Sequence, residues 1–283
     1  MPSTDERTRL PRECLAAGIG AAMADALYNP GTVLQVRGQI SPKKRTWDLA
    51  TDAVSRQGII GGLWLPGLIP ICLRALTYSG TRVGLYPTVR DALPADGFTA
   101  KVLAGCTTGM LGAFVFAPWE VLRVRIVAAD GTNAAYTSTF AAAATIVRED
   151  SVRALWRAAP PFALRAGVFS GAQLAVYDTV KGALRVAGVP ESPKLHLLAS
   201  CASGVCAAIA CHPFDTVKTI VVMDGGGARR GMLAVARELF AGGGIRRLYA
   251  GLLPAVAGRA PMAMTFLPLV EALRTRVFLL GNI

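Results

Sequence analysis

The chain has 283 residues, 53% of them hydrophobic and 17% charged, with a mean hydropathy of +0.44. That is too apolar for an ordinary soluble domain and points to a membrane protein. The net charge of +12 fits an anionic lipid or an anionic substrate, whereas 10 Phe, 4 Trp and 6 Tyr with no interleaved basic and aromatic strands make nucleic acid the weakest partner.

In chain order, the opening stretch MPSTDERTRLPRE holds three arginines but also Asp5, Glu6 and Glu13 and no apolar core. It is read as neither a signal peptide nor a transit peptide. Six long apolar segments follow, near 12–37, 66–92, 98–126, 160–184, 194–221 and 253–278. Each is long enough to cross a bilayer at about 1.5 Å per residue. None is an unbroken apolar run, the pattern of helices that keep one face toward an aqueous cavity. Shorter stretches between them, Trp47 to Gln57 and Tyr136 to Asp150, read as amphipathic surface helices. Lys43, Lys44, Arg45, Arg229 and Arg230 gather at these connections, which marks the inner side.

A motif recurs at equal depth in the odd segments: Pro30-Gly-Thr32-Val-Leu-Gln35-Val-Arg37, Pro118-Trp-Glu120-Val-Leu-Arg123-Val-Arg125 and Pro213-Phe-Asp215-Thr-Val-Lys218. The even segments repeat too, as Pro70, Arg74, Tyr86; Pro161, Arg165, Tyr177; and Pro254, Gly258, Val270. Three tandem copies of about 94 residues account for the whole length, and we place them at 12–92, 98–184 and 194–278. A proline inside a membrane helix removes one backbone hydrogen bond, so Pro30, Pro118 and Pro213 predict three kinked helices. The acid and base beyond each proline either pair between neighbouring helices, as a gate, or pair within one helix at i,i+3. Small residues sit 13 and 9 before each proline (Ala17 and Ala21, Gly105 and Gly109, Ser200 and Gly204), a spacing that lets helices approach closely.

Six cysteines, at 14, 72, 106, 201, 206 and 211, form no CxxC pair and read as packing residues. With only two histidines there is little material for a metal site or a catalytic triad, and no enzyme is expected. Gly225 to Gly227 and Gly242 to Gly244 lack the Lys and Ser/Thr of a phosphate-binding loop and read as turn glycines.

The repeated Pro-x-[Asp/Glu]-x-x-[Lys/Arg] resembles the mitochondrial carrier family over nearly the whole chain. The stretches ADALYNP (24–30), LTYSGTRVGLY (76–86), AGCTTG (104–109), YTSTFAAAATIVRED (136–150) and RAGVFSGAQLAVYD (165–178) resemble its branch of uncoupling, oxoglutarate and dicarboxylate carriers. The resemblance implies an all-α membrane fold. Six transmembrane helices would form a pseudo-threefold bundle, with a short matrix-side amphipathic helix in each repeat. It also implies a multi-pass monomer of the mitochondrial inner membrane, in contact with lipid including cardiolipin. A small anionic substrate is expected, with a purine nucleotide as a candidate inhibitor and no cofactor.

Carried over residue by residue, the matrix gate joins Glu120 to Lys218, Asp215 to Gln35, and leaves Arg123 facing Thr32, which has no carboxylate. A second, cytoplasmic gate uses Asp178 and Lys181, Glu271 and Arg274, and Arg90, whose repeat has Pro87 where the acid belongs. Between the gates Arg74, Tyr78 and Arg82 share one helix face, and Arg165, Phe169, Gln173 and Tyr177 the equivalent one. Arginines there suit a carboxylate or phosphate. The family's third arginine falls on Gly258, with Arg259 next to it and turned by about 100°. Asp25 matches an acid that uncoupling proteins place in the first helix and is a candidate for proton handling. Function is therefore read as transport of a dicarboxylate, oxoacid or phosphate by alternating access, with proton conductance open. The alternative is a non-transporting protein that keeps the carrier fold, suggested by the eroded gate of the first copy.

Overall fold

The computed structural model describes residues 4–93, 97–129, 131, 133–136, 138–186, 193–224 and 230–277. Among them there are helices and connections and no strand. The first repeat contributes α1 (Thr4–Leu27), α2 (Asn29–Ile40), α3 (Thr46–Ile59), a π-helical turn at Ile60–Trp64 and α4 (Leu68–Ala92). The second contributes α5 (Gly97–Val115), α6 (Ala117–Ala129), α7 (Thr139–Asp150) and α8 (Ala159–Val186). The third contributes α9 (Pro193–Met223), α10 (Met232–Leu248) and α11 (Leu252–Arg276).

Proline acts differently in the three copies. The helix is interrupted at Tyr28, two residues before Pro30, and at Phe116, two before Pro118, as the missing N–H groups predict. In the third copy α9 runs unbroken through Pro213. Bonds on either side of that turn hold it: His212 Nε2 lies 2.8 Å from the Ala250 carbonyl, and the Thr216 hydroxyl donates to the Leu248 carbonyl at 2.7 Å. The kink expected at Pro213 therefore falls, if formed, within one continuous helix rather than at a helix boundary.

Each long element packs on the next in chain order: α1 on α4, α4 on α5, α5 on α8, α8 on α9, α9 on α11, and α11 back on α1. The short amphipathic helices dock from one end. Ala142 and Ile146 of α7 join Val121, Val124 and Val127 of α6, while Val235 and Leu239 of α10 cover Val217 and Val221 of α9. Polarity is inverted relative to a soluble protein. Asp25, Glu120, Arg123, Asp215 and Lys218 are buried, whereas Leu111, Phe114, Val115, Leu164 and Ile209 are exposed.

Among the described residues two stretches, Thr46–Tyr78 and Ala202–Met223, are long and apolar enough to cross a membrane, and Cys14–Leu27 and Leu103–Val115 are shorter apolar helices. The first is divided by the π-helical turn and by Gly67, whose φ is 68°, so it is not one span.

The close helix approaches do not follow the predicted small-residue register throughout. Ala17 and Ala21 are buried and Gly109 meets Ala166, but a side chain at Gly105 or Gly204 would meet nothing within 4 Å. The tight contacts of α1 are instead at Gly18, where a Cβ would lie 2.8 Å from the Leu76 carbonyl oxygen, and at Gly20, against Val270. Spacing alone does not say which face of a helix meets its neighbour.

One backbone position repeats at an interval of 93: Gly58 (φ 73°, ψ 174°), Ser151 (φ 83°, ψ 163°) and Gly244 (φ 61°, ψ −156°) end the amphipathic segment of each copy. Only glycine adopts this region without strain, and a side chain there costs about 1–3 kcal/mol. Ser151→Gly is therefore expected to stabilise the protein by about 1 kcal/mol once the greater freedom of glycine in the unfolded chain is subtracted. A thermal melt checks this, and a lowered midpoint would refute it.

Candidate functional site

The charged residues beyond the three prolines converge. Lys218 Nζ lies 2.7 Å from Glu120 Oε1, the inter-helix pair expected from the sequence, and also 3.3 Å from Asp215 Oδ1 on its own helix. Both readings of the acid and base spacing therefore coexist at one lysine. Glu120, 2% exposed, also takes Arg123 Nη1 at 3.0 Å and Arg74 Nε at 3.6 Å, so one carboxylate gathers cations from α4, α6 and α9. Burial of an ion without partners is prohibitive, and this clustering is what makes a charge at that depth tolerable.

At the motif position repeat one has Thr32 in place of an acid. Arg123 Nη2 points at the Thr32 backbone carbonyl, 3.5 Å away, and the Thr32 hydroxyl donates instead to Asn29 O and Oδ1 at 2.8 and 2.9 Å. Asn29 in turn donates to the Trp64 and Pro66 carbonyls at 2.6 and 3.1 Å, so this turn is braced by neutral hydrogen bonds. Gln35 is buried on α2.

The two arginines expected to bind substrate are engaged with acids. Arg165 Nε lies 2.7 Å from Asp215 Oδ1, with its guanidinium 5.8 Å from the Phe169 ring centroid. Arg74 Nη2 donates to Asp25 Oδ2 at 3.1 Å. Asp25 is thus a counter-ion of Arg74 here. Tyr78 packs its ring 6.0 Å from that of Phe162 and against Gly112, so it lines the α4–α5–α8 junction. Gln173 lies on α8 and is partly buried. The side chains of Arg82 and Arg259 lie outside the described residues.

The third arginine position is occupied by a backbone contact. A Cβ at Gly258 would lie 3.3 Å from Gly31 Cα, and one at Gly31 would lie 3.0 Å from Gly258 Cα. The two glycines let α2 and α11 meet backbone to backbone, and an arginine at 258 would drive them apart.

Of the second gate, Arg90 pairs with its exposed neighbour Asp91 at 2.8 Å. Lys181 lies on α8 and is partly buried. The side chains of Asp178, Glu271 and Arg274 lie outside the described residues, so this ring is not described.

Several contacts had no signal in the sequence. The Thr219 hydroxyl donates to Gln39 Oε1 at 2.6 Å, joining α9 to α2 one turn beyond Gln35. Arg247 holds the Gln39 carbonyl at 2.9 Å. Arg125 reaches Asp150 Oδ2 at 3.0 Å and the Val222 carbonyl at 2.8 Å, tying α6 to α7 and α9.

A helical chain of three repeats, with its ions inside and its apolar side chains outside, defines the class. The sequence profile of the family described as mitochondrial carrier protein matches three times, over residues 6–97, 94–187 and 190–279, and the chain belongs to that family. It is 29% identical to mitochondrial uncoupling protein 1 of Arabidopsis thaliana over 87% of this chain and 86% of the relative. It is 31% identical to the putative mitochondrial transporter UCP3 of Canis lupus familiaris, over 72% of each. Identity to the dicarboxylate carrier UCP2 of Danio rerio is 27%, over 85% of this chain and 84% of the relative. The resemblance to uncoupling proteins and dicarboxylate carriers is borne out.

Proposed function

We propose that this carrier moves a small anionic metabolite, a dicarboxylate, oxoacid or phosphate, across the mitochondrial inner membrane by alternating access. The six long helical units α1/α2, α4, α5/α6, α8, α9 and α11 form its pseudo-threefold bundle, and their exposed apolar side chains meet lipid. The observation that carries the reading is the direct contact between two partly buried arginines and buried acids: Arg165 with Asp215, and Arg74 with Asp25 and Glu120.

An entering carboxylate or phosphate competes for the same guanidinium forks. As it takes Arg165 from Asp215 and Arg74 from Glu120, it withdraws cations from the acids that hold α4, α6, α8 and α9 together. Binding energy is thereby spent on opening, and an anion with equal affinity for both arrangements would shift nothing. With Gly258 packed on Gly31, the described part of the site holds Arg74 on α4 and Arg165 on α8 and no side chain at position 258, which suits a small anion.

Anionic lipid is the second partner. A cavity of about 300 Å³ between repeats two and three is lined by Arg153, Arg157 and Arg230 together with Asp150 and Asp224, of which Asp224 pairs with Arg230 at 2.6 Å, beside Gly231, where the N-terminus of α10 has no side-chain cap. Its chemistry suits a lipid phosphate such as that of cardiolipin.

Uptake into proteoliposomes tests the reading. Exchange of malate, oxoglutarate or phosphate, or a proton conductance, is expected. A folded, reconstituted protein that carries none of these would favour the non-transporting alternative, which the carbonyl of Thr32 in place of a gate carboxylate also suits.

A further inference from the structure

The amphipathic segments carry a second apolar face. Their buried faces hold Leu49 and Ala53 of α3, Ala142 and Ile146 of α7, and Val235 and Leu239 of α10, pairs that recur every 93 residues. Two residues before each pair stands a large apolar side chain: Trp47, Phe140 and Leu233, which are 76%, 79% and 67% exposed. At about 100° per residue, two positions turn each of them about 200° from Leu49, Ala142 or Val235, to the outer side of its helix. Seven residues further on, close to two full turns and so on the same side, lie Val54, Val147 and Phe240. Val147 and Phe240 are exposed and Val54 is half-buried. Beyond the left-handed residue that ends each segment the stripe continues as Ile59, Val152 and Ile245, all exposed. A helix on a soluble protein turns polar side chains outward, whereas these three turn an apolar stripe outward as well.

Three features identify what covers the stripe. It recurs in all three copies, which follow one another around the closed ring of long helices, so the stripes face directions that no single protein partner covers together. It is continuous with exposed apolar side chains of the long helices: Ile60 leads to Leu65 and Ile69, Val152 to Trp156 and Leu164, and Ile245 to Leu253. Exposed cations flank it, with Lys43 and Arg45 just before Trp47, Arg148 just after Val147, and Arg237 one turn beyond Leu233. Basic side chains beside an apolar stripe suit the headgroup boundary of a bilayer, where the stems lie along the apolar layer and the charges reach phosphate and water.

We infer that the outer stripes of α3, α7 and α10 are seated in the interfacial layer of the bilayer leaflet at that end of the bundle, with repeat one seated deepest. This rests on the reading of the long helices as membrane-spanning. Two residues single out repeat one. Trp47 supplies an indole, a side chain enriched at the headgroup boundary. Ile60 stands where the other copies have Arg153 and Arg246, all three exposed. The two arginines keep their segments at the level of the phosphates, and Ile60 has no charge to keep in water. Because α7 docks on α6 and α10 on α9, the stripes tie the helices that carry Glu120 and Lys218 to one leaflet.

Tryptophan quenching in nanodiscs tests it. The discs are made of phosphatidylcholine with or without bromine on the acyl chains near the headgroup, and the emission of Trp47 is the difference between the parent and Trp47→Phe. That emission is expected to be lost to brominated lipid more than to iodide in the water. Phe140→Trp and Leu233→Trp, each made in Trp47→Phe, are expected to be quenched by the same lipid, but less than Trp47. Each change falls on an exposed apolar side chain, so the fold survives it. Phe114→Trp, on the exposed face of α5, reports whether the long helices meet lipid. If it is quenched by brominated lipid while the three stripe positions answer only to iodide, the stripes lie in water and the inference falls with the bundle reading intact. If Phe114→Trp also answers only to iodide, the membrane-spanning reading falls first. A Trp47 shielded from both quenchers is covered by protein, which overturns the inference too. Equal quenching at all three positions would overturn the deeper seat of repeat one.

Discussion

Glu120→Gln is expected to abolish uptake and to lower the melting midpoint by about 10 °C. Three cations face this one carboxylate: Lys218 at 2.7 Å, Arg123 at 3.0 Å and Arg74 at 3.6 Å. An amide keeps the shape and some hydrogen bonds but removes the charge that makes those cations tolerable at this depth. Breaking a buried pair by removing one partner costs about 3–5 kcal/mol, and each kcal/mol shifts the midpoint of a chain of roughly this size by about 2–4 °C. Glu120→Gln with Lys218→Gln should be less damaged than the sum of the two single changes, because the lysine no longer lacks its acid. Equal stability of Glu120→Gln and the parent would show that the hub is not what holds α4, α6 and α9 together.

The repeat and the Pro-x-acid-x-x-base motif were legible in the sequence because each depends on spacing along a helix or on comparison between copies, and the pairing of Glu120 with Lys218 was implied by the family resemblance. The engagement of Arg74 with Asp25 and Glu120, and of Arg165 with Asp215, was not legible. It depends on how far a side chain reaches across a helix interface, which periodicity does not encode. Gly258 was recognisable as a missing arginine, but its reason, the backbone contact with Gly31, appears only when α2 and α11 are set side by side. Pro213 was read as a kink from local chemistry, whereas the bonds of His212 and Thr216 that flank it across the interface had no signal in the sequence. The same limit applies to the small residues: Gly18 and Gly20 carry the close contacts of α1, one residue away from the recurring Ala17 and Ala21.

Arg165 separates a structural role from a transport role. Its Nε lies 2.7 Å from Asp215 Oδ1, and its side chain is 19% exposed. Arg165→Lys keeps the charge but replaces a fork with a point donor. Losing one charge-assisted hydrogen bond to the substrate is worth about 1.5–3 kcal/mol, so initial uptake at low substrate should fall by about 10- to 100-fold. Arg165→Gln should leave no measurable uptake, with Asp215 retaining Lys218 at 3.3 Å. The deciding variant is Arg165→Gln/Asp215→Asn. If Arg165 serves only to neutralise Asp215, removing both charges together restores uptake. If the substrate anion takes the guanidinium from Asp215 during the cycle, the double variant folds at least as well as Arg165→Gln, because no unbalanced carboxylate remains, and still transports nothing. Folding and transport then part company in one protein, which an exclusively structural role for Arg165 does not allow.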